Sequence, residues 1–219
     1  MAVEGETKVN VGHIIRVVIP RQYGIPIQIA SLIELVANSL DAIPSVIVIN
    51  SDAERGILEV TDDGAGMDRG KFAEYHDITP AKTIGTGIGF AGQGAKLALN
   101  FCEKVVTETY SPTYRGGTVW HLVGDRAPYQ PIKREDLSLS HQGTKVLLYL
   151  TSDSKAFYGE GLIEEILAEH YAPLLDDKLL RVYKGEAPIL VDEKRSSLKI
   201  YKPIYPRGCL LYTSPSPRD

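Results

Sequence analysis

The stretch Ile27-Gln-Ile-Ala-Ser-Leu-Ile-Glu-Leu-Val-Ala-Asn-Ser-Leu-Asp-Ala42 decides how this chain is read. At 100° per residue, helical geometry sorts its side chains into two sectors. Ile29, Leu32, Ile33, Val36 and Leu40 fall on one side. Glu34, Asn38 and Asp41, spaced i, i+4 and i+7, fall within roughly 60° of one another on the opposite side. A surface helix seldom concentrates a base, an amide and a second acid on one narrow line without lysines between them. Two readings follow. The stripe is a solvated helix face, or it is a site in which Glu34 takes a proton from water while the Asn38 carbonyl oxygen binds a hard cation such as Mg²⁺.

Outward from this helix, Pro44 stops it, and two β-rich runs follow, Val46-Ile-Val-Ile49 and Gly56-Ile-Leu-Glu-Val-Thr61. From Asp68 to Gly94 the pattern is irregular and dense in glycine, a segment expected to be mobile unless a ligand orders it. A second helix is expected over Ala95 to Phe101. Strands are expected at Lys104 to Thr109, Gly117 to Val123 and Thr144 to Leu150. A third amphipathic helix spans Gly161 to Leu175, and apolar segments near Leu180 to Tyr183 and Leu198 to Tyr201 suggest a further strand or hairpin. Consecutive strands without intervening helices argue for an α+β two-layer sandwich, with a mixed, mostly antiparallel sheet covered by about three helices.

The whole chain has 219 residues, 43% hydrophobic and 24% charged, the composition of one ordinary folded domain rather than of a disordered, collagenous or coiled-coil chain. Its 28 acidic and 24 basic residues leave a net charge of -4, so no global positive field supports nucleic-acid binding. Cys102 and Cys209 are too few for a disulfide framework and lack a metal-ligand spacing, which fits a reducing compartment. The first residues have no signal-peptide character and no apolar run approaches the length of a membrane span; a cytoplasmic location is expected. Composition changes abruptly after Tyr205. Residues 1–205 read as one domain, and 206–219 as a disordered or foreign tail of a truncated fragment.

Two glycine-rich loops add to the helical stripe. Asp62-Asp-Gly-Ala-Gly-Met67 follows a strand directly. Alternate glycines let the backbone approach a flat ligand, and a buried carboxylate accepts a hydrogen bond from an exocyclic amine. A tight Asp-Gly turn accounts for Asp63 and Gly64 but not for Gly66 and Met67. Gly85-Thr-Gly-Ile-Gly-Phe-Ala-Gly-Gln-Gly-Ala-Lys96 opens a helix, and its successive N–H groups suit a polyphosphate. It is not a Walker loop, since no Gly-Lys-Ser/Thr closes it. It does contain a literal GxGxxG, Gly87 to Gly92, with Glu108 about 20 residues on at an expected strand end. That dinucleotide fingerprint needs a strand immediately before it, and Pro80 makes His76 to Ile84 a poor one.

Taken together, these signals resemble the Bergerat-fold ATPases of the GHKL superfamily. Glu34 to Ala42 looks like the N box, Asp62 to Met67 like the first glycine box and Gly87 to Lys96 like the second; Gly143-Thr144 matches the short third box. The resemblance implies ATP and Mg²⁺ as ligands. It implies Glu34 as general base, Asn38 as the magnesium ligand, with Asp41 beside it on the N box, and Asp62 as acceptor of the adenine N6 amine, supported by Thr144. Gly64, Gly66 and Met67 would line the adenine pocket. Gly87, Gly89, Phe90, Gly92, Gly94 and Ala95 would wrap the phosphates, as part of a lid over Asp68 to Gly94. Lys82 and Lys96 are either phosphate contacts or surface charges.

Within the superfamily, Glu34 and the following Asn-Ser-Leu-Asp-Ala favour the hydrolysing branch of MutL, MORC, gyrase B and topoisomerase VI types. Histidine kinases are disfavoured because only 26 residues precede Ile27, too few for their phosphoacceptor hairpin. The resemblance also implies an ATP-dependent homodimer of a longer protein, acting as a nucleotide-gated clamp. A transducer-domain lysine that completes the site in gyrase-type and MutL-type members has no counterpart here, so turnover is expected to be weak; the alternatives are a histidine-kinase-type phosphotransfer module or a nucleotide-binding module without turnover.

Overall fold

The computed structural model describes residues 9–52, 54–78, 93–158, 162–176, 180–184 and 187–189. Among them the chain begins with a helical segment made of α1 (Val11–His13), a π-helical turn (Ile14–Val18) and a 3₁₀ turn (Pro20–Gln22). Helix α2 (Ile27–Asp41) follows, then the hairpin of β1 (Ile47–Asp52) and β2 (Ile57–Asp62). Two short helices, α3 (Arg69–Glu74) and α4 (Gly94–Ala98), precede β3 (Cys102–Tyr110), β4 (Arg115–Trp120), β5 (Tyr129–Pro131) and β6 (Gly143–Leu150). The described chain ends with α5 (Ser152–Phe157), α6 (Leu162–Asp176), β7 (Leu180–Lys184) and β8 (Ala187–Ile189).

The strands form one sheet in the order β5-β4-β3-β6-β2-β1-β7-β8, antiparallel throughout except for the parallel β1–β7 pair. This is the expected α+β sandwich. The parallel pair is possible because α5 and α6 lie between β6 and β7 and carry the chain back to the β1 edge. Alternation along β2 turns Leu58, Val60 and Asp62 to the helical layer, and register aligns them with Leu148, Val146 and Thr144 of β6. Asp62 is the one charged residue in that series. It ends the strand just where the glycine loop begins.

Helix α2 departs from the two-sector expectation: Ala30 through Ala37 are all buried, Glu34 among them. The sheet covers one side and α4 another, and from α6 the Tyr171 hydroxyl donates to the Ile33 carbonyl at 2.8 Å. Helical periodicity identifies the apolar face, but it cannot report a second layer that arrives from residues 60 and more positions away. A central helix wrapped in this way gains about 1.5 to 3 kcal/mol for each large apolar side chain it buries.

Other differences are local. The irregular stretch from Asp68 contains α3, started by the Asp68 side chain accepting from the Lys71 amide at 2.9 Å. The strand expected at Gly117 to Val123 runs from Arg115 to Trp120. Glu108 does not end a strand: it lies inside β3, with 4% of its surface exposed. Its carboxylate accepts from the Leu139 amide at 2.6 Å and the Ser138 hydroxyl at 2.9 Å. Arg115 donates to the carbonyls of Leu139 and Leu137 at 2.7 and 3.3 Å. The two charges strap residues 137–139 across the far face of the sheet, so both Glu108 oxygens are engaged in holding this loop rather than placed at a strand end to face a ribose. The hairpin expected at Leu198 to Tyr201 and the tail from 206 lie outside the described residues. No single described helix is long and apolar enough to cross a membrane.

Candidate functional site

The end of β2 gathers the first glycine box, the short third box and α2 around one carboxylate. Asp62 is 3% exposed. Its Oδ1 accepts from the Gly64 amide at 3.0 Å and the Thr144 amide at 3.3 Å, and the Ser39 hydroxyl on α2 bonds it as well. Burial outweighs these bonds and raises the carboxyl above its ordinary range. A carboxylate held in this way is charged at neutral pH only at a cost, which a donor from a ligand would offset. The neighbouring Asp63 does different work. Its Oδ1 takes the Ser45 and Val46 amides at 2.7 and 2.8 Å, pinning the turn before β1 and lowering its pKa.

The rest of the loop is fixed by close approach. Gly66 has φ of +66°, and a Cβ there would lie 2.1 Å from the Tyr110 carbonyl oxygen, so only glycine lets the loop pass over the end of β3. The next residue, Met67, is half-buried, and its amide donates to the Thr109 hydroxyl at 2.7 Å. Thr109 faces Thr144 across the β3–β6 pair. These contacts bring Asp62, Gly64, Gly66, Met67 and Thr144 into one neighbourhood.

A second neighbourhood forms where α2 meets α4. Glu34 is fully buried, Asn38 one turn on is half-buried and Asp41 is exposed, so the stripe dives from solvent into the core instead of running along a solvated face. Gly94 starts α4 against Glu34 and Leu35, followed by buried Ala95 and Lys96. Lys96, at 1% exposure, is not a surface charge. Its ammonium is near enough to help hold His76 below the ordinary histidine range, an effect led by desolvation of the ring. Lys82, Gly87, Gly89, Phe90 and Gly92 lie outside the described residues.

His76 anchors α3. Its Nδ1 lies 2.9 Å from the Phe72 carbonyl, which can only accept, so Nδ1 carries the proton and Nε2 accepts from the Thr118 hydroxyl at 2.9 Å. The ring stacks on Tyr129 and meets Trp120 edge-on. The alternate residue Tyr75 bonds Thr107 at 2.8 Å. Reading the sequence alone did not find Ser31, Ser39, Thr109 or His76; common polar residues carry no spacing signal, and their partners are 23 to 63 positions distant.

Comparison with known proteins agrees with this geometry. A family model described as histidine kinase-, DNA gyrase B- and HSP90-like ATPase matches residues 28–142, slightly more than half the chain. The chain is 27% identical to heat shock protein 90-5, chloroplastic, of Arabidopsis thaliana, over 73% of its own length and 25% of the relative's. It is 27% identical to the chaperone protein HtpG of Nitrobacter hamburgensis, over 68% of its length and 26% of the relative's. The chain thus spans about a quarter of these relatives. Both lean toward the heat-shock side of the superfamily rather than the MutL, MORC and gyrase side that the N box suggested. The matched span contains the N box and both glycine boxes in order, on the sandwich that the motifs led one to expect, and the chain belongs to the histidine kinase-, DNA gyrase B- and HSP90-like ATPase family.

Proposed function

We propose that the chain binds ATP with its adenine amine on Asp62 and its phosphates toward Gly94 to Lys96, and that it hydrolyses ATP with Glu34 as general base. The observation that carries this reading is Asp62: a buried carboxylate, raised by desolvation, bonded by the Gly64 amide of the first glycine box, the Thr144 amide of the short third box and Ser39 of the N box. A donor amine on a ligand would relieve it. At the other end, buried Glu34 suits a base that takes the proton of the attacking water. The water oxygen bonds to the γ-phosphorus, the bond to the β,γ-bridging oxygen breaks, and ADP and phosphate leave.

Among the described residues no group of three histidine, cysteine or acidic side chains is placed to hold a metal. Half-buried Asn38 offers one hard oxygen that would hold a Mg²⁺ together with phosphate oxygens and waters. When bound, such an ion supplies charge neutralisation for the phosphates. As the wider role we propose a nucleotide-gated clamp that dimerises through parts of a longer protein. Isothermal calorimetry with a non-hydrolysable ATP analogue and Mg²⁺ should show saturable binding; none at millimolar ligand would end the proposal.

A further inference from the structure

Ser31 lies in the second turn of α2 with no exposed surface, where apolar side chains surround it on the helix. Its hydroxyl donates to the Gly94 carbonyl at 2.8 Å, across 63 residues of sequence. That choice of partner is informative. A helical serine has an acceptor at hand in its own preceding turn, and the Gly94 carbonyl, as the first in α4, already has the helix's own amides to serve. The bond therefore satisfies no group that would otherwise be orphaned. What it does is tie two helices at one point.

The point it ties is the seam beside Glu34. Ser31 and Glu34 are three residues apart, on adjoining turns of one helix face, and both meet Gly94. A Cβ on Gly94 would lie 3.1 Å from the Glu34 Cβ, the Leu35 Cγ and the Leu35 amide nitrogen. The missing side chain lets α4 approach closely, and the serine hydroxyl holds it there. Within the broader packing of α2 on α4, one hydrogen bond and one absent methyl group act at the point where the carboxylate meets the residues that open α4.

We infer that Ser31 is a positioning residue that fixes the separation between Glu34 and the start of α4. This rests on the reading of that seam as the hydrolytic end of an ATP site. Ser31→Ala should leave ATP affinity within about threefold and lower kcat by about tenfold to a hundredfold, because a small displacement of reacting groups costs rate rather than binding. Ser31→Thr, which keeps the hydroxyl, should recover most of the rate. Gly94→Ala wedges the same seam from the other side and should lower kcat by a similar factor, with its own loss of ATP affinity because Gly94 also opens the phosphate end of α4.

A merely structural serine would instead lower thermal stability while leaving kcat of the folded fraction at the parental value, and that result overturns the inference. So does equal loss in the alanine and threonine variants together with a parental rate in Gly94→Ala. If the parent binds ATP without turning it over, the hydrolytic reading fails on its own. The seam is then tested by the ratio of ATP to ADP affinities, expected to fall about twofold to threefold in Ser31→Ala through weaker ATP binding alone; an unchanged ratio overturns the inference.

Discussion

At the scale of single residues, Asp62 shows how a buried carboxylate holds unfavourable free energy in the fold. Its folded pKa is raised above the ordinary carboxylate value near 3.8, so between that value and the raised one the folded chain holds more protons than the unfolded chain. Stability therefore decreases as pH climbs through this window, and at neutral pH the ionised carboxylate is a net cost. Asp62→Asn keeps an oxygen for the Gly64 and Thr144 amides but carries no charge. It should raise the melting temperature at pH 7, with the gain shrinking as pH falls toward 4. In the same variant the ligand amine loses an ionic acceptor, and ATP affinity should fall by about 1.5 to 3 kcal/mol, the worth of a hydrogen bond to a charged group. Calorimetry of heat and of binding on one preparation decides both halves. A destabilised variant with parental affinity would make Asp62 a structural acid.

At the scale of elements, α3 shows what the sequence conveyed and what it hid. The strands β2, β3 and β6 and the helices α2 and α6 were legible because their apolar periods are long and their breakers clear. In contrast, α3 has six residues, includes Gly70 and sits in a glycine-rich setting, so beyond the local Asp68 cap its existence depends on tertiary anchors, Tyr75 on Thr107 and His76 on Thr118. The helical segment before α2 was missed for a related reason, its run of isoleucine and valine carrying no helical preference of its own. The anchor His76 makes α3 sensitive to pH. Its folded pKa lies below the ordinary 6.5, so as pH falls below that value the unfolded chain takes up a proton that the folded chain refuses, and stability drops. The groups facing the ring include Asp77 on its own segment, Lys96 of α4 and Tyr129 of β5. Denaturant unfolding at pH 7.5 and 5.5 should show a smaller acid loss in His76→Gln than in the parent, where half-buried His170, also below the ordinary histidine range through desolvation, contributes equally to both. Equal losses would mean that His76 is protonated without strain.

At the scale of the whole molecule, the fold brings its two polar neighbourhoods to one layer by running α2 between them. Ser39 near its end bonds Asp62, and Ser31 near its start bonds Gly94, with Glu34 between. The candidate site was legible in type because the boxes keep their order along the chain. Its depth was not legible, since the burial of Glu34 and Lys96 comes from α4 folding back on α2. That depth gives two explanations for Glu34, a base or a buried structural acid, and they separate experimentally. Glu34→Gln keeps the shape and removes the charge, so a structural acid would change folding stability and leave turnover per folded molecule intact. A general base would do the reverse: ATP affinity within a few-fold of the parent, and turnover lower by about 10²- to 10⁴-fold. Single-turnover hydrolysis under saturating ATP isolates the chemical step from binding. Parental turnover in Glu34→Gln would remove the base from the mechanism, while the adenine end of the site, carried by Asp62, would stand or fall on its own affinity measurement.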